Sequence, residues 1–144
     1  ISMRDGKMTA KEYLSTYKKM MEEVRCLDTE IEELWTQLTS STSNSDGMPK
    51  GTVQDRQTKL HAIMADKLQT KRRKKIEAES VMADILETVD QVTDPNFRLI
   101  LFERYIQDKN WEEIADHLGY VEEYVRGELH GKALNEIRFI CGKS

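Results

Sequence analysis

Two long stretches of the chain, residues 9–38 and 52–92, contain neither proline nor glycine. Along the first stretch, apolar residues recur at alternating spacings of three and four, which places them on one face of an α-helix. A helix of about 30 residues is not stable alone in water, so this face must be buried against another element. The chain is therefore expected to consist of long packed helices, the first of which begins at a capping box formed by Thr9 and Glu12. The apolar positions of the first stretch are Tyr17, Met20, Val24, Leu27, Ile31, Leu34 and Leu38.

The second stretch also predicts a long helix, with an apolar face that is clear at both ends and thin in the middle. Between the two stretches, residues 39–51 are rich in Ser, Thr, Gly and Asn, which favour loops over helices. We interpret this segment as a disordered loop, with a binding loop as the alternative. The pattern predicts an antiparallel, coiled-coil-like helical hairpin over residues 9–92.

A run of five basic residues occupies the thin part of the second helix. Folding about the loop would place Glu22 and Glu23 of the first helix near residue 70, so one interpretation is a solvated face with partial charge pairing. The other is a patch that binds phosphates, because five consecutive residues wrap around a helix and cannot all face the first one. The run consists of Lys71, Arg72, Arg73, Lys74 and Lys75.

A hairpin of two helices leaves part of each apolar face uncovered. Self-association into a four-helix homodimer would bury it. The alternative is that the C-terminal part of the chain folds back onto the hairpin. Of the two, we expect the homodimer.

A second module is expected to begin near residue 93. Asp94 is suited to cap a helix whose first position is Pro95, and the segment that follows is apolar almost all round. Next comes a short amphipathic helix whose end is predicted at Gly119, since glycine readily adopts the left-handed conformation of a helix C-terminus. Its apolar face consists of Trp111, Ile114, Ala115 and Leu118.

The helix after Gly119 completes a predicted helix-turn-helix, with Val125 facing Ala115. In DNA-binding proteins of this type the outward side chains of the second helix read bases in the major groove. Gly127 and Gly131 lie within this helix and predict either a close backbone approach or a break. The residues expected to contact DNA are Glu122, Glu123, Arg126 and His130, with Lys109 and Lys132 beside them.

The segment W-E-E-I-A-x-x-L-G-Y, at residues 111–120, resembles region 4 of bacterial sigma factors, the module that reads promoters. The wider chain resembles a family of small phage- and prophage-encoded proteins, through M-T-A-K-E-Y-L at residues 8–14, D-G-M-P-K-G at residues 46–51 and L-H-G-K-A-L at residues 129–134. This resemblance implies a transcription regulator whose natural start is near Met8, with residues 1–8 as a disordered lead-in.

Charge argues against a simple phosphate-binding module. The chain has a net charge of −4, and residues 93–144 contain seven Lys and Arg against ten Asp and Glu. A domain that neutralises phosphates is normally basic. A three-helix domain that contacts protein therefore remains an alternative to one that reads DNA, although Glu122 or Glu123 could accept a hydrogen bond from a cytosine amino group.

Other chemistry is not indicated. Cys26 and Cys141 are isolated, which suggests a reducing cytoplasm and no disulfide framework or metal site. No apolar run is long enough to span a membrane. We find no phosphate-binding glycine loop and no catalytic arrangement, so we expect neither an enzyme nor a cofactor.

The predicted fold is all-α, with a hairpin over residues 9–92 and a three-helix, sigma-like helix-turn-helix domain over residues 93–144. The predicted function is a phage-type transcription regulator that binds promoter DNA, RNA polymerase or both. The alternative is a helical interaction or scaffold protein that has kept this fold without DNA affinity.

Overall fold

A computed structural model describes residues 8–40 and 50–142 of the chain, and within these two ranges it contains helices and no strand. The all-α class is confirmed. No helix in the described ranges combines the length and the apolarity needed to cross a membrane. The helices are α1 (Ala10–Ser40), α2 (Lys50–Asp90), α3 (Pro95–Tyr105), α4 (Trp111–Leu118), α5 (Glu122–Tyr124) and α6 (His130–Gly142), with a π-helical turn (Val125–Leu129) that joins α5 to α6.

Both ends of the segment predicted as a loop, residues 39–51, are helical. Residues 39–40 still belong to α1 and residues 50–51 already belong to α2. Residues 41–49, and residues 1–7 of the predicted lead-in, lie outside the described residues.

Capping interactions define several helix ends, as the sequence predicts. The Thr9 hydroxyl accepts a hydrogen bond from the Glu12 amide over 3.1 Å at the start of α1. The Asp94 carboxylate accepts one from the Asn96 amide over 2.8 Å at the start of α3, directly before Pro95. At the end of α4, Gly119 adopts a left-handed conformation with φ of 79°.

The chain divides into two compact units, and both divisions fall inside continuous helices. Unit 1 comprises residues 1–19 and 78–144, and unit 2 comprises residues 20–77. Each unit therefore contains part of α1 and part of α2. Neither division coincides with the module boundary that the sequence predicts near residue 93.

The core of unit 1 joins the first turns of α1 and the last turns of α2 to α3 and α6. Leu14, Ile85, Leu101 and Ile137 are fully buried in this one cluster. In this unit the C-terminal helices cover the apolar faces of α1 and α2. At the start of α1 and the end of α2, the apolar faces are therefore covered by the C-terminal part of the chain, as the alternative to dimerisation predicts. The other buried members of the cluster are Ala10, Tyr13, Val89, Val92, Tyr105 and Ala133.

In unit 2, α1 and α2 are connected by ion pairs whose order is reversed along the two helices. Lys67 Nζ lies 2.6 Å from Glu30 Oε2, Lys71 pairs with Asp28, and Lys74 Nζ lies 2.6 Å from Glu23 Oε2. As residue numbers rise on α2 they fall on α1, so these segments are antiparallel. Every predicted apolar position of the first helix is buried or half-buried, which confirms its inward face.

Candidate functional site

The surface around Gly119 is the candidate site, because two helices meet there across a short turn. Ala115 of α4 and Val125 of the π-helical turn are buried in one cluster with Ile100 of α3. Ala115 is small, which allows the second helix to cross closely. The packing of Val125 towards Ala115 confirms the expected orientation of these two residues.

The outward face of the second helix carries one cation beside two acids. The Arg126 guanidinium lies 3.3 Å from the Glu122 carboxylate, and the side chains are 53% and 44% exposed. Glu123 is exposed and has no ion pair within the described residues. A solvent-exposed pair four residues apart on a helix contributes only about 0.3–0.5 kcal/mol, so Arg126 can exchange Glu122 for another anion.

Lys132 is also paired, with Glu128 Oε1 at 3.2 Å. It lines a shallow groove of about 410 Å³ together with Phe97 and Phe139. The structure therefore places Lys132 beside α3, next to a surface that Arg126 does not line.

The expected outward position of His130 is wrong. This residue is 8% exposed, and its ring packs between Tyr105 and Trp111 at centroid distances of 5.8 and 4.6 Å. Burial, and to a lesser degree the nearby charges of Lys11 and Arg104, lowers the pKa of His130 to about 4. A neutral, enclosed imidazole cannot contact a base in the groove.

The hydrogen bonds of His130 define its protonation state. Burial raises the pKa of the Tyr105 hydroxyl to about 12, and this hydroxyl lies 2.6 Å from His130 Nε2. The backbone hydrogen bond to Arg126 acts to raise the pKa of His130, so the imidazole donates there and Nε2 is left to accept from the Tyr105 hydroxyl. The imidazole proton is then on Nδ1, where the backbone of Arg126 accepts it. His130 thus ties α3 to the second helix.

The π-helical turn explains why His130 is inside. The His130 amide donates to the carbonyls of Gly127 and Val125, three and five residues earlier, where a regular α-helix would use a spacing of four. The π-helical turn has more residues per turn than an α-helix, so each residue advances by a smaller angle. Residues after Leu129 therefore do not occupy the faces that a 3.6-residue period assigns to them. His130, Ala133 and Ile137, which follow the turn, are buried together with Leu129, its last residue.

Lys109, another predicted DNA contact, forms an ion pair with a buried carboxylate. Its Nζ lies 2.7 Å from Oε1 of Glu103, which is 1% exposed and also binds His117 Nδ1 at 2.9 Å. Burial alone would raise the pKa of Glu103, but the hydrogen bonds and charges of Lys109 and His117 lower it below its ordinary value. The second oxygen, Oε2, has no hydrogen-bond partner. The sequence did not indicate this cluster, since Glu103 lies within an apolar segment that was expected to form the core.

Apolar side chains are exposed at the turn itself. Val121 is 71% exposed, and the rings of Tyr120 and Tyr124 lie edge to face at 5.4 Å with 47% and 40% exposure. Trp111 is different: it is half-buried beneath the Arg104 guanidinium, which lies 4.5 Å from its ring centroid, and is a packing residue as predicted.

The two glycines of the second helix neither break it nor fill a tight space. The helix continues through Gly127 and Gly131, and a Cβ atom built on either would meet nothing within 4 Å. The predicted break is therefore wrong, and no close contact within the described residues requires a glycine. Both positions leave open space on the helix surface.

The basic run of unit 2 is divided by the structure into two groups. Lys71 and Lys74 form the ion pairs with α1 described above, which confirms partial charge pairing. Arg72, Arg73 and Lys75 are exposed and form no ion pair within the described residues.

Within residues 8–40 and 50–142, no group of His, Cys, Asp and Glu side chains could hold a metal ion. Cys26 is exposed and Cys141 half-buried, and neither forms a disulfide. No protein-family model, curated protein or solved structure matches the chain, so the resemblance to sigma factors rests on its motif residues alone.

Proposed function

We propose that the chain is a phage-type transcription regulator with a long antiparallel helical hairpin and a sigma-like helix-turn-helix domain. One observation carries the proposal: Ala115 and Val125 are buried together across a left-handed Gly119. This leaves the start of the second helix exposed, which is the part that enters the major groove in DNA-binding proteins of this type.

In this proposal, Arg126 is the main base-reading or phosphate-binding residue. Its fork of donors matches the two acceptors of guanine or a phosphate, and its pair with Glu122 is weak enough to exchange. Glu123 would accept a hydrogen bond from a cytosine amino group. Lys132 and Lys109 would act only at the rim, since each is already paired.

The same surface supports a second candidate, an interaction protein without DNA affinity. Arg126 and Lys132 are both paired with carboxylates of the second helix, at Glu122 and Glu128. The exposed turn also offers Val121 and two tyrosines, and aromatic side chains are enriched where proteins meet. RNA polymerase is the partner that the sigma resemblance implies.

We further propose that unit 2 mediates a homodimer. Trp35, Leu68 and Ile63 are 58%, 43% and 43% exposed in this unit, although each is large and apolar. A second copy would bury these side chains and complete a four-helix arrangement.

The test is fluorescence anisotropy of a labelled mixed-sequence duplex, titrated with the full chain at about 50 mM and about 200 mM salt. Regulation through DNA requires binding that weakens steeply with salt and is reduced by Arg126→Gln. Binding that Arg126→Gln leaves unchanged would remove this helix as the DNA contact. No binding at either salt concentration would select the interaction protein, to be tested next with purified RNA polymerase.

A further inference from the structure

The antiparallel register of unit 2 brings basic residues from both helices to one flank. The Asp28–Lys71 ion pair marks a level at which α1 and α2 face each other. Arg25 lies three residues before Asp28, and Lys75 lies four residues after Lys71. Residues at these spacings are neighbours on the same helix face.

Antiparallel direction puts Arg25 and Lys75 at the same level. Because α1 and α2 are antiparallel, a step of one turn towards the N-terminus of α1 leads in the same direction along the helix pair as a step of one turn towards the C-terminus of α2. Arg25 and Lys75 therefore lie side by side, one turn from the Asp28–Lys71 pair. Arg72, which precedes Lys75 by three residues, adds a third cation to this flank.

Ion pairs hold three acids of α1, whereas Glu22, exposed three residues before Arg25, forms no ion pair within the described residues. Glu23 is bound to Lys74 and Glu30 to Lys67, while Asp28 is bound to Lys71. Arg25, Arg72 and Lys75 are exposed and have no ion-pair partner within the described residues. Each of them can accept an anion without first breaking a contact inside the protein.

We propose that Arg25, Arg72 and Lys75 form a phosphate-binding site for the backbone of double-stranded DNA. Two guanidinium groups match phosphate oxygens in a bidentate manner, and the ammonium of Lys75 adds a point charge beside them. The acidic surface around Glu122 and Glu123 contributes little neutralisation, so an electrostatic contact elsewhere in the chain would supply it. The choice of DNA as the ligand rests on the proposed function, while the site itself belongs to unit 2.

The test compares two double variants of the full chain in the anisotropy assay, across a series of salt concentrations. Arg25→Gln with Lys75→Gln removes two charges from the site. Lys19→Gln with Lys59→Gln removes two exposed charges, one from each helix, away from the site. Circular dichroism checks that all variants keep their helicity.

The site variant should lower the slope of log K against log salt by about 2, since each phosphate contact contributes roughly 0.9, and the control variant should leave it near the wild-type value. Equal slopes for the two variants, or a wild-type chain that does not bind duplex at all, would overturn the proposal. So would tighter binding to vesicles with about 30% phosphatidylserine than to DNA, if the site variant abolished it.

Arg126→Gln in the same assay separates this site from the proposed function. A loss of binding confined to Arg126→Gln supports the proposed function alone, and a loss confined to Arg25→Gln with Lys75→Gln supports this site alone.

Discussion

The Tyr105 hydroxyl and His130 Nε2 are joined by a hydrogen bond of 2.6 Å inside unit 1. This contact links α3 to the first residue of α6, where burial lowers the pKa of His130 to about 4. Two consequences for stability follow, one for the hydroxyl and one for the imidazole.

Tyr105→Phe should destabilise unit 1 by roughly 1–3 kcal/mol, because it leaves a buried imidazole nitrogen without its donor. Urea denaturation followed by circular dichroism measures the loss. Tyr124→Phe is the matched control, since the Tyr124 side chain is 40% exposed and should change stability by less than about 0.5 kcal/mol. Equal stability of the Tyr105→Phe variant and the wild type would contradict the buried hydrogen bond.

Stability should fall as pH is lowered from about 6.5 to about 4. The folded-state pKa of His130 is about 4, against an ordinary value of 6.5, so in this window the unfolded chain binds a proton that the folded chain does not. The full shift corresponds to roughly 3 kcal/mol. Unfolding measured at intervals across this range should show the decline, and His130→Gln should flatten it. The pKa of Glu103 is also lowered, so Glu103 causes a further loss of stability, but only at the lower pH values at which carboxylates become protonated.

Lys109→Met should destabilise the chain by roughly 2 kcal/mol, because it leaves the buried Glu103 carboxylate with His117 as its one remaining partner. The double variant Lys109→Met with Glu103→Met should recover most of that loss, since it removes the buried charge and the orphaned Oε2 together. A double-mutant cycle by chemical denaturation measures the coupling. Additive losses in the double variant would show that the pair does not act as a unit.

Glu122→Gln should strengthen DNA binding severalfold if Arg126 reads the groove. The substitution frees the guanidinium from its partner at 3.3 Å and removes one like charge from a surface that approaches phosphate. Anisotropy at fixed salt gives the affinities. Glu112→Gln, on the exposed side of α4, makes the same charge change outside the second helix and should have a smaller effect.

Leu68→Asp should shift the sedimenting species from dimer towards monomer, because a charge at an exposed apolar position would have to be buried by the second copy. Ala62→Asp introduces the same charge at an exposed small residue of α2 that has no three- or four-residue spacing to Leu68 or Ile63, and it serves as the control. A wild-type chain that sediments as a monomer at all concentrations would refute the homodimer.

Much of the fold follows from periodicity and capping. The heptad spacing from Tyr17 to Leu38 identified the inward face of α1, and Thr9, Asp94 and Gly119 identified helix ends, because these effects act over one or two turns. The joint core of unit 1 was predicted only as the alternative to dimerisation, since a cluster that contains both Leu14 and Ile137 depends on tertiary packing. For the candidate site, the pattern located Arg126 and Glu122 on the surface but misplaced His130, because a 3.6-residue period cannot anticipate a π-helical turn.

The π-helical turn at Val125–Leu129 also affects how this chain can be compared with others. It accommodates what amounts to one additional residue in the second helix. An alignment that assumes an uninterrupted α-helix will match residues up to Tyr124 with structural equivalents and will be displaced by one position beyond Leu129. Deleting one residue from this turn would restore the regular helical phase and rotate His130 and Ala133 away from the core. In this part of the chain, the number of residues is therefore as important to the fold as their identity.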